Sequence, residues 1–476
     1  MNNHHPPDYN DAAAHLDTGL ELARKGDYRA AAGHFQQAME LNPDDPQAYI
    51  NLGKLALIGT EFLHEGTTAL KRATELEPEN ADPYYMLAKI YEMSSRLSEA
   101  ESYLQKGLEL APDHPHSHRL YANILRRQGR IDEAIARLES APIPDDEPRL
   151  AIAMHFELGK LYERKQDSVR AYAHYLQGNR LQSQTPEAGR VNKQIFLDTI
   201  AKIRRTFTPD WLTTWSPPYQ PTAADQADPI FLVGFPRSGT TLLDQILNSH
   251  PVFQVVEEQP MLTSALSMLA GPMTYPVALA DLQAAQIAEM RQKYFVDAAP
   301  FIAPGKGDML IDKLPLNIIH IGLIMRLFPR ARIILALRHP CDACLSCFMQ
   351  SFGHNDAMAN FYTLEDAAHL YAEAMGLWRH YVDILPVNFH PIKYEDLVTD
   401  LEGQARHLLE FLGVEWDPRV LDYNQYARAR ERIRTPSYEQ VTEEIYTRAR
   451  YRWQRYEEQM RPVLPVLAPF IDYFGY

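Results

Sequence analysis

Through the first third of the chain, small and bulky apolar positions recur with a period near 34 residues. A small residue returns at Gly19, Gly53, Ala88, Ala122 and Gly159, and a second small series at Ala31, Gly66, Ala100, Ala134 and Ala171. Four positions after the second series stand Phe35, Leu70, Leu104, Leu138 and Tyr175, while Pro43, Pro78 and Pro112 close the first three units. This spacing predicts two short helices per unit, about five units over residues 12–184. Small residues let the helices of one hairpin approach, and bulky ones are expected to fill the gap to the next hairpin. Residues 185–228 change character: a further helix is expected over 188–205, then a Pro-rich linker or strap, "FTPDWLTTWSPPYQPTAADQADP".

From residue 229 to 476 the pattern becomes strands alternating with helices. The apolar run Ile230 to Val233 predicts a buried strand, Gly234 and Gly239 a tight turn, and Thr240 onward a helix with apolar Leu242, Leu243, Ile246 and Leu247. "MLIDKLP" is expected to end a second strand, "LNIIHIGLIMRLF" to form a helix, "ARIILALR" a third strand and "PCDACLSCFMQSF" a further helix. Such a succession predicts an α/β domain with a parallel sheet, ligand groups gathering at the carboxyl ends of its strands.

Strand, glycine loop and helix in "FLVGFPRSGTTLLDQIL" make a P-loop-like nest for an anion. A nucleotide triphosphatase loop would read G-x-x-x-x-G-K-[ST], its lysine on the outer phosphates and its hydroxyl on Mg²⁺. Here Thr240 stands where that lysine would be, and Arg237 is the only cation in the loop.

The 47 Lys and Arg are outnumbered by 62 Asp and Glu. No long basic tail occurs, which argues against nucleic-acid or anionic-membrane partners. The start "MNNHHPPDYN" lacks an apolar stretch and no later run has the length of a membrane span, so a cytoplasmic protein is expected. All three cysteines fall in one C-x-x-C-x-x-C window, Cys341, Cys344 and Cys347. The pattern admits an iron–sulfur or zinc site completed by His339 or His354, or small residues packing a helix; the expectation is no metal.

The N-terminal array resembles the tetratricopeptide repeat, without the family's Trp, which implies a surface for a protein or peptide partner. "GFPRSGTT", "DKLP", "LRHPCDACLS" and "TPSYEQV…YRWQRY" resemble the sulfotransferases that use 3′-phosphoadenosine 5′-phosphosulfate, most of all the tyrosylprotein sulfotransferase branch. The likeness runs over roughly residues 229–460. It implies that Arg237, Ser238, Gly239, Thr240 and Thr241 hold the 5′-phosphosulfate, a group that needs neither the loop lysine nor Mg²⁺. Arg338, with Ser346 eight residues on, would grip the 3′-phosphate. Lys313 would neutralise the leaving oxygen, and Glu258, 21 residues after Arg237, would be the base, with His250 as rival and Glu257 as neighbour. Ser437 matches a family serine near the transferring group. Arg452 stands where the family has a phosphate-binding lysine, and Arg428, Arg430, Arg432, Arg434, Arg448 and Arg450 surround this segment as a lid or as solvated charges. The acceptor is a hydroxyl on a peptide tyrosine, a sugar or a small metabolite. A nucleotide kinase and a non-catalytic adaptor are the other classes, the first disfavoured by the missing lysine.

Overall fold

The computed structural model describes residues 9–143, 146–217, 219–222, 225–269, 274–302, 307–424 and 449–476. They form two compact units, Met1–Leu181 and Gln182–Tyr476.

Five antiparallel helix pairs make the first unit: α1 (Tyr9–Lys25) with α2 (Tyr28–Leu41), α3 (Pro46–Ala56) with α4 (Leu63–Leu76), α5 (Ala81–Met93) with α6 (Leu97–Leu110), α7 (Pro115–Arg127) with α8 (Ile131–Glu139), and α9 (Pro148–Arg164) with α10 (Ser168–Ser183). Each unit-closing proline serves a second purpose. The carbonyls of Pro43, Pro78 and Pro112 accept hydrogen bonds from Tyr49, Tyr84 and His118, each six residues on, which fixes the entry of the next helix. Asp45, Asn80 and His114 cap those helices with their side chains. The bulky series also packs within its own hairpin. A Cβ on Gly19, Gly53 or Gly159 would lie 2.6, 2.3 or 2.7 Å from Phe35, Leu70 or Tyr175, so each bulky residue sits on the glycine of its own hairpin.

The second unit opens with α11 (Lys193–Thr206), which starts later than expected because Asn192 caps it through Gln194 N–H. Next comes the short α12 (Pro209–Thr213). The Pro-rich stretch is a strap bound to this unit: Phe207 is buried against Gly322, and Arg326 donates to the carbonyls of Ser216, Leu279 and Leu282.

The sheet contains β1 (Ile230–Gly234), β2 (Phe253–Glu257), β3 (Met309–Lys313), β4 (Arg332–Leu337) and β5 (Phe389–Lys393), all parallel, in the order β2-β3-β1-β4-β5. Between them run α13 (Thr240–Ser249), α14 (Met261–Ser267), α15 (Ala284–Ala298), α16 (Ile321–Leu327), α17 (Pro340–Phe348) and α18 (Leu364–Ile384). The strand ending in "DKLP" is thus the third, since Phe253–Glu257 forms one before it. The helix expected over "LNIIHIGLIMRLF" begins as a 3-10 turn, Pro315–His320. One face of the sheet packs Ile230, Leu232, Ile311 and Ile334 against Leu243, Ile246, Leu408 and Leu409. On the other, Phe231 meets Tyr294 and Phe328. β1 lies centrally with β3 on one side and β4 on the other, so the chain leaves the sheet in both directions around its carboxyl end. That switch point is where α/β sheets open a crevice for ligands.

Candidate active site

The loop after β1 is held in a conformation its residues do not favour. Gly234 approaches β4 so closely that a Cβ would lie 2.4 Å from the Ala336 carbonyl. Arg237 has φ 68° and Gly239 φ 93°. For arginine the left-handed region costs about 1–2 kcal/mol, strain typical of functional turns. Gly239 then caps α13, placing Ser238, Thr240 and Thr241 at the positive end of that helix, all three largely buried.

Arg237 Nε donates to Ser346 Oγ at 3.2 Å, and Arg338 Nη1 to the Arg237 carbonyl at 3.1 Å. Loop, strand end and following helix therefore meet. Arg338 is only 6% exposed, so its charge is directed at this site rather than at solvent. Its guanidinium lies 4.9 Å from the Tyr394 ring centroid, its Nη2 donates to the Ala449 carbonyl at 2.6 Å, and its buried Nε has no hydrogen-bond partner among the described residues. Arg452 opens a 3-10 turn, Arg452–Tyr456. The next residue, Trp453, donates its N–H to Asp342 Oδ1 at 2.8 Å and stacks on His339, which holds this segment beside the start of α17. Arg450 is also in the described part, whereas Ser437, Arg428, Arg430, Arg432, Arg434 and Arg448 lie outside the described residues.

Glu258 and Lys313 face each other across β2 and β3. The Glu258 N–H donates to the Lys313 carbonyl at 2.8 Å, and Lys313 Nζ donates to Glu258 Oε1 at 2.9 Å. Glu258 is a second non-glycine residue with positive φ, 50°, at the carboxyl end of its strand. Lys313 is fully buried and has two further carboxylates within reach, Glu257 at 3.4 Å and Asp244 at 3.9 Å. The Glu258 side chain is 39% exposed, so of this group it is the one an incoming hydroxyl can reach. His250 is not available as a base: its Nε2 faces the Glu415 carbonyl at 3.1 Å and its Nδ1 accepts from Val252 N–H at 3.3 Å.

The three cysteines are free thiols on the buried α17. Cys347 Sγ donates to the Pro236 carbonyl and Cys344 Sγ to that of Ala367. Burial pushes the Cys341 thiol up to about 12 and raises the other two as well, so all stay protonated. Among the described residues no three His, Cys, Asp or Glu are placed to hold a metal ion.

Sequence reasoning overlooked Asp244 and Tyr394. Asp244 carried a signal, an acid within the apolar helix of the glycine loop. Tyr394 carried none, because the strand before it was not delimited; its ring touches Gly239, where a Cβ would meet Cδ2 at 2.9 Å, and underlies Arg338.

One cationic group (Arg237, Arg338 and the loop amides) and one lysine–carboxylate group (Lys313, Glu258) thus stand at the carboxyl ends of four adjacent strands. Residues 229–418 match the Sulfotransferase family, residues 19–57 a TPR repeat, and residues 65–124 and 93–154 the Tetratricopeptide repeat. The chain therefore joins tetratricopeptide repeats to a sulfotransferase-family domain. It is 27% identical over 327 residues to an uncharacterized protein of Aquifex aeolicus (strain VF5), covering 66% of this chain and 41% of that one. It is 26% identical over 208 residues to protein-tyrosine sulfotransferase A of Caenorhabditis elegans, covering 41% and 52%. The chain spans about half or less of the length of these two curated relatives. The sulfotransferase domain of the Synechococcus PCC 7002 olefin synthase is 22% identical with a TM-score of 0.38, covering 55% of this chain and 99% of that domain.

Proposed function

We propose that the chain transfers the sulfuryl group of 3′-phosphoadenosine 5′-phosphosulfate to a hydroxyl, and that this hydroxyl is a peptide tyrosine. The observation that carries the reading is the placement of Arg237, Glu258, Lys313 and Arg338 at the ends of neighbouring strands, in the order the motifs imply. Arg237, the loop amides and the hydroxyls of Ser238, Thr240 and Thr241 would hold the 5′-phosphosulfate. Arg338 and Ser346 would hold the 3′-phosphate, and Arg452 would add a contact to the nucleotide phosphates. The buried Arg338 Nε, without a partner among the described residues, fits an anionic ligand there.

In this reading Glu258 takes the proton of the acceptor hydroxyl as the acceptor oxygen bonds to sulfur. The bond from sulfur to the phosphate oxygen breaks, and Lys313 neutralises the charge left on that oxygen. The tyrosine acceptor is supported by the relatives named protein-tyrosine sulfotransferase. No helix among the described residues is long and apolar enough to cross a membrane. A cytoplasmic setting is part of the proposal, and free buried thiols fit it.

The test is to incubate the purified chain with donor labelled in its sulfuryl group and a library of tyrosine peptides, sugars and phenols. Label on peptide tyrosine is the expected result. Label on sugars or small phenols alone would replace the acceptor, and label on none would remove the activity.

A further inference from the structure

Lys313 lies on a face of the sheet that is otherwise apolar. Two residues earlier on β3, Ile311 packs with Leu232 of β1 against Leu242, Leu243, Ile246 and Leu247 of α13. Strand side chains alternate, so Lys313 points to the same side. Leu232 is also its register partner on β1, as Glu257 is on β2. The helix meets this lysine with an acid. All ten residues of α13 are buried, and among them Asp244 places a carboxylate 3.9 Å from Lys313 Nζ, both side chains wholly removed from solvent. Asp244 stands one turn after Thr240 and Thr241, so the helix that presents the loop to an anion also carries this acid.

The carboxylates around Lys313 are graded from dry to wet: the side chain of Asp244 is 0% exposed, that of Glu257 11% and that of Glu258 39%. Asp244 is therefore out of reach of an incoming hydroxyl and cannot be the base. An ionised acid in the interior is strongly unfavourable unless a counter-charge stands beside it. The reaction gives this arrangement a use. As Glu258 takes the acceptor proton its carboxyl becomes neutral, and its pull on Lys313 Nζ, 2.9 Å away, falls. In the same step the bond from sulfur to the phosphate oxygen breaks, the electron pair stays on that oxygen, and the ammonium has to face it. Asp244 undergoes no bond change and keeps its charge throughout. It holds the ammonium from behind while the partner in front changes from Glu258 to the leaving oxygen.

We propose that Asp244 is a positioning residue for Lys313, fixing the ammonium at the closed end of the site during transfer; the inference rests on the sulfuryl-transfer reading. Glu257 is not equivalent. It precedes the base on the same strand and is partly exposed, so solvent screens its charge, whereas Asp244 reaches the lysine from a different element and ties the end of β3 to α13.

Asp244→Asn keeps the size of the side chain and removes its charge. With donor labelled in its sulfuryl group, kcat of this variant should fall about tenfold, within the range of coupling between contacting charges. The calorimetric Kd for adenosine 3′,5′-bisphosphate should stay level or improve, because a negative charge near a polyanion is gone. A merely structural role would weaken binding and kcat together. In a Lys313→Met background the same change should alter kcat by less than about twofold; a further tenfold loss would mean that Asp244 does not act through Lys313. Denaturant midpoints give a reading that needs no turnover. Asp244→Asn combined with Lys313→Met should unfold later than Lys313→Met alone, since it removes the acid that loss of the lysine strands. Parallel losses of binding and kcat, an unchanged kcat, or no regained stability in the double variant would each overturn the proposal. A wild-type chain that transfers no label is a different result: it would overturn the sulfuryl-transfer reading, and with it any role for Asp244 in transfer, even where the regained stability is found.

Discussion

Replacing Arg338 by alanine isolates the part of the site that distinguishes a 3′-phosphorylated nucleotide from its dephosphorylated analogue. In the structure the guanidinium donates to the carbonyls of Arg237 and Ala449 and covers the Tyr394 ring, so its loss both slackens the loop and removes a charge. Slackening affects any ligand of the loop, whereas the charge matters only where a 3′-phosphate is present. A charge-assisted hydrogen bond contributes about 1.5–3 kcal/mol. One such bond, taken as about 2 kcal/mol, corresponds to about 30-fold in Kd. Calorimetric titration of wild type and Arg338→Ala with adenosine 3′,5′-bisphosphate and with adenosine 5′-monophosphate reads the two effects separately. The bisphosphate should lose about 30-fold more affinity than the monophosphate. Arg338→Lys, which keeps charge but not the planar fork, should recover part of that difference while remaining folded. Equal losses for both ligands would refute the 3′-phosphate assignment.

Other substitutions probe the remaining groups. Glu258→Gln should lower kcat by about 100- to 10,000-fold while leaving bisphosphate affinity nearly unchanged; full transfer activity would exclude Glu258 as the base. Gly239→Ala places a side chain at φ 93° and against Tyr394, so donor binding should fall sharply; unchanged binding would show that the loop relaxes freely. Asp312 is buried, accepts from the Tyr294 hydroxyl at 2.9 Å and is pushed up to about 7 by burial. Its folded value lies above its unfolded one, so its contribution is full below about pH 4 and is lost as pH rises through about 7. Denaturant midpoints of Asp312→Asn should therefore gain on wild type between those values; a constant difference would contradict this. Thiol titration at mild alkaline pH should label no cysteine in the folded chain and Cys341, Cys344 and Cys347 after unfolding.

The repeat array was legible because its signal is local and recurs: glycine or alanine at one interval and a bulky residue at another define a hairpin before any tertiary contact is considered. The glycine loop and the ends of β3 and β4 were legible for a similar reason, since an apolar run halted by Arg338 or Lys313 marks both strand and site. Phe253–Glu257 was harder, because a five-residue strand beside two prolines and a histidine has too little periodicity to separate it from a loop. Its omission concealed why Glu258 reaches Lys313, which follows from the parallel register of Glu257 with Lys313. The occupied ring nitrogens of His250 and the acids around Lys313 depend on contacts between segments far apart in the chain, and no sequence window contains those.

The most direct measurement of the central claim is calorimetric titration of the full chain, in EDTA, with adenosine 3′,5′-bisphosphate and separately with ATP. Tight, metal-independent binding of the bisphosphate and weak binding of ATP is the result expected of a site built from Arg237, Arg338 and Ser346. Preference for ATP, or binding of neither, would contradict it.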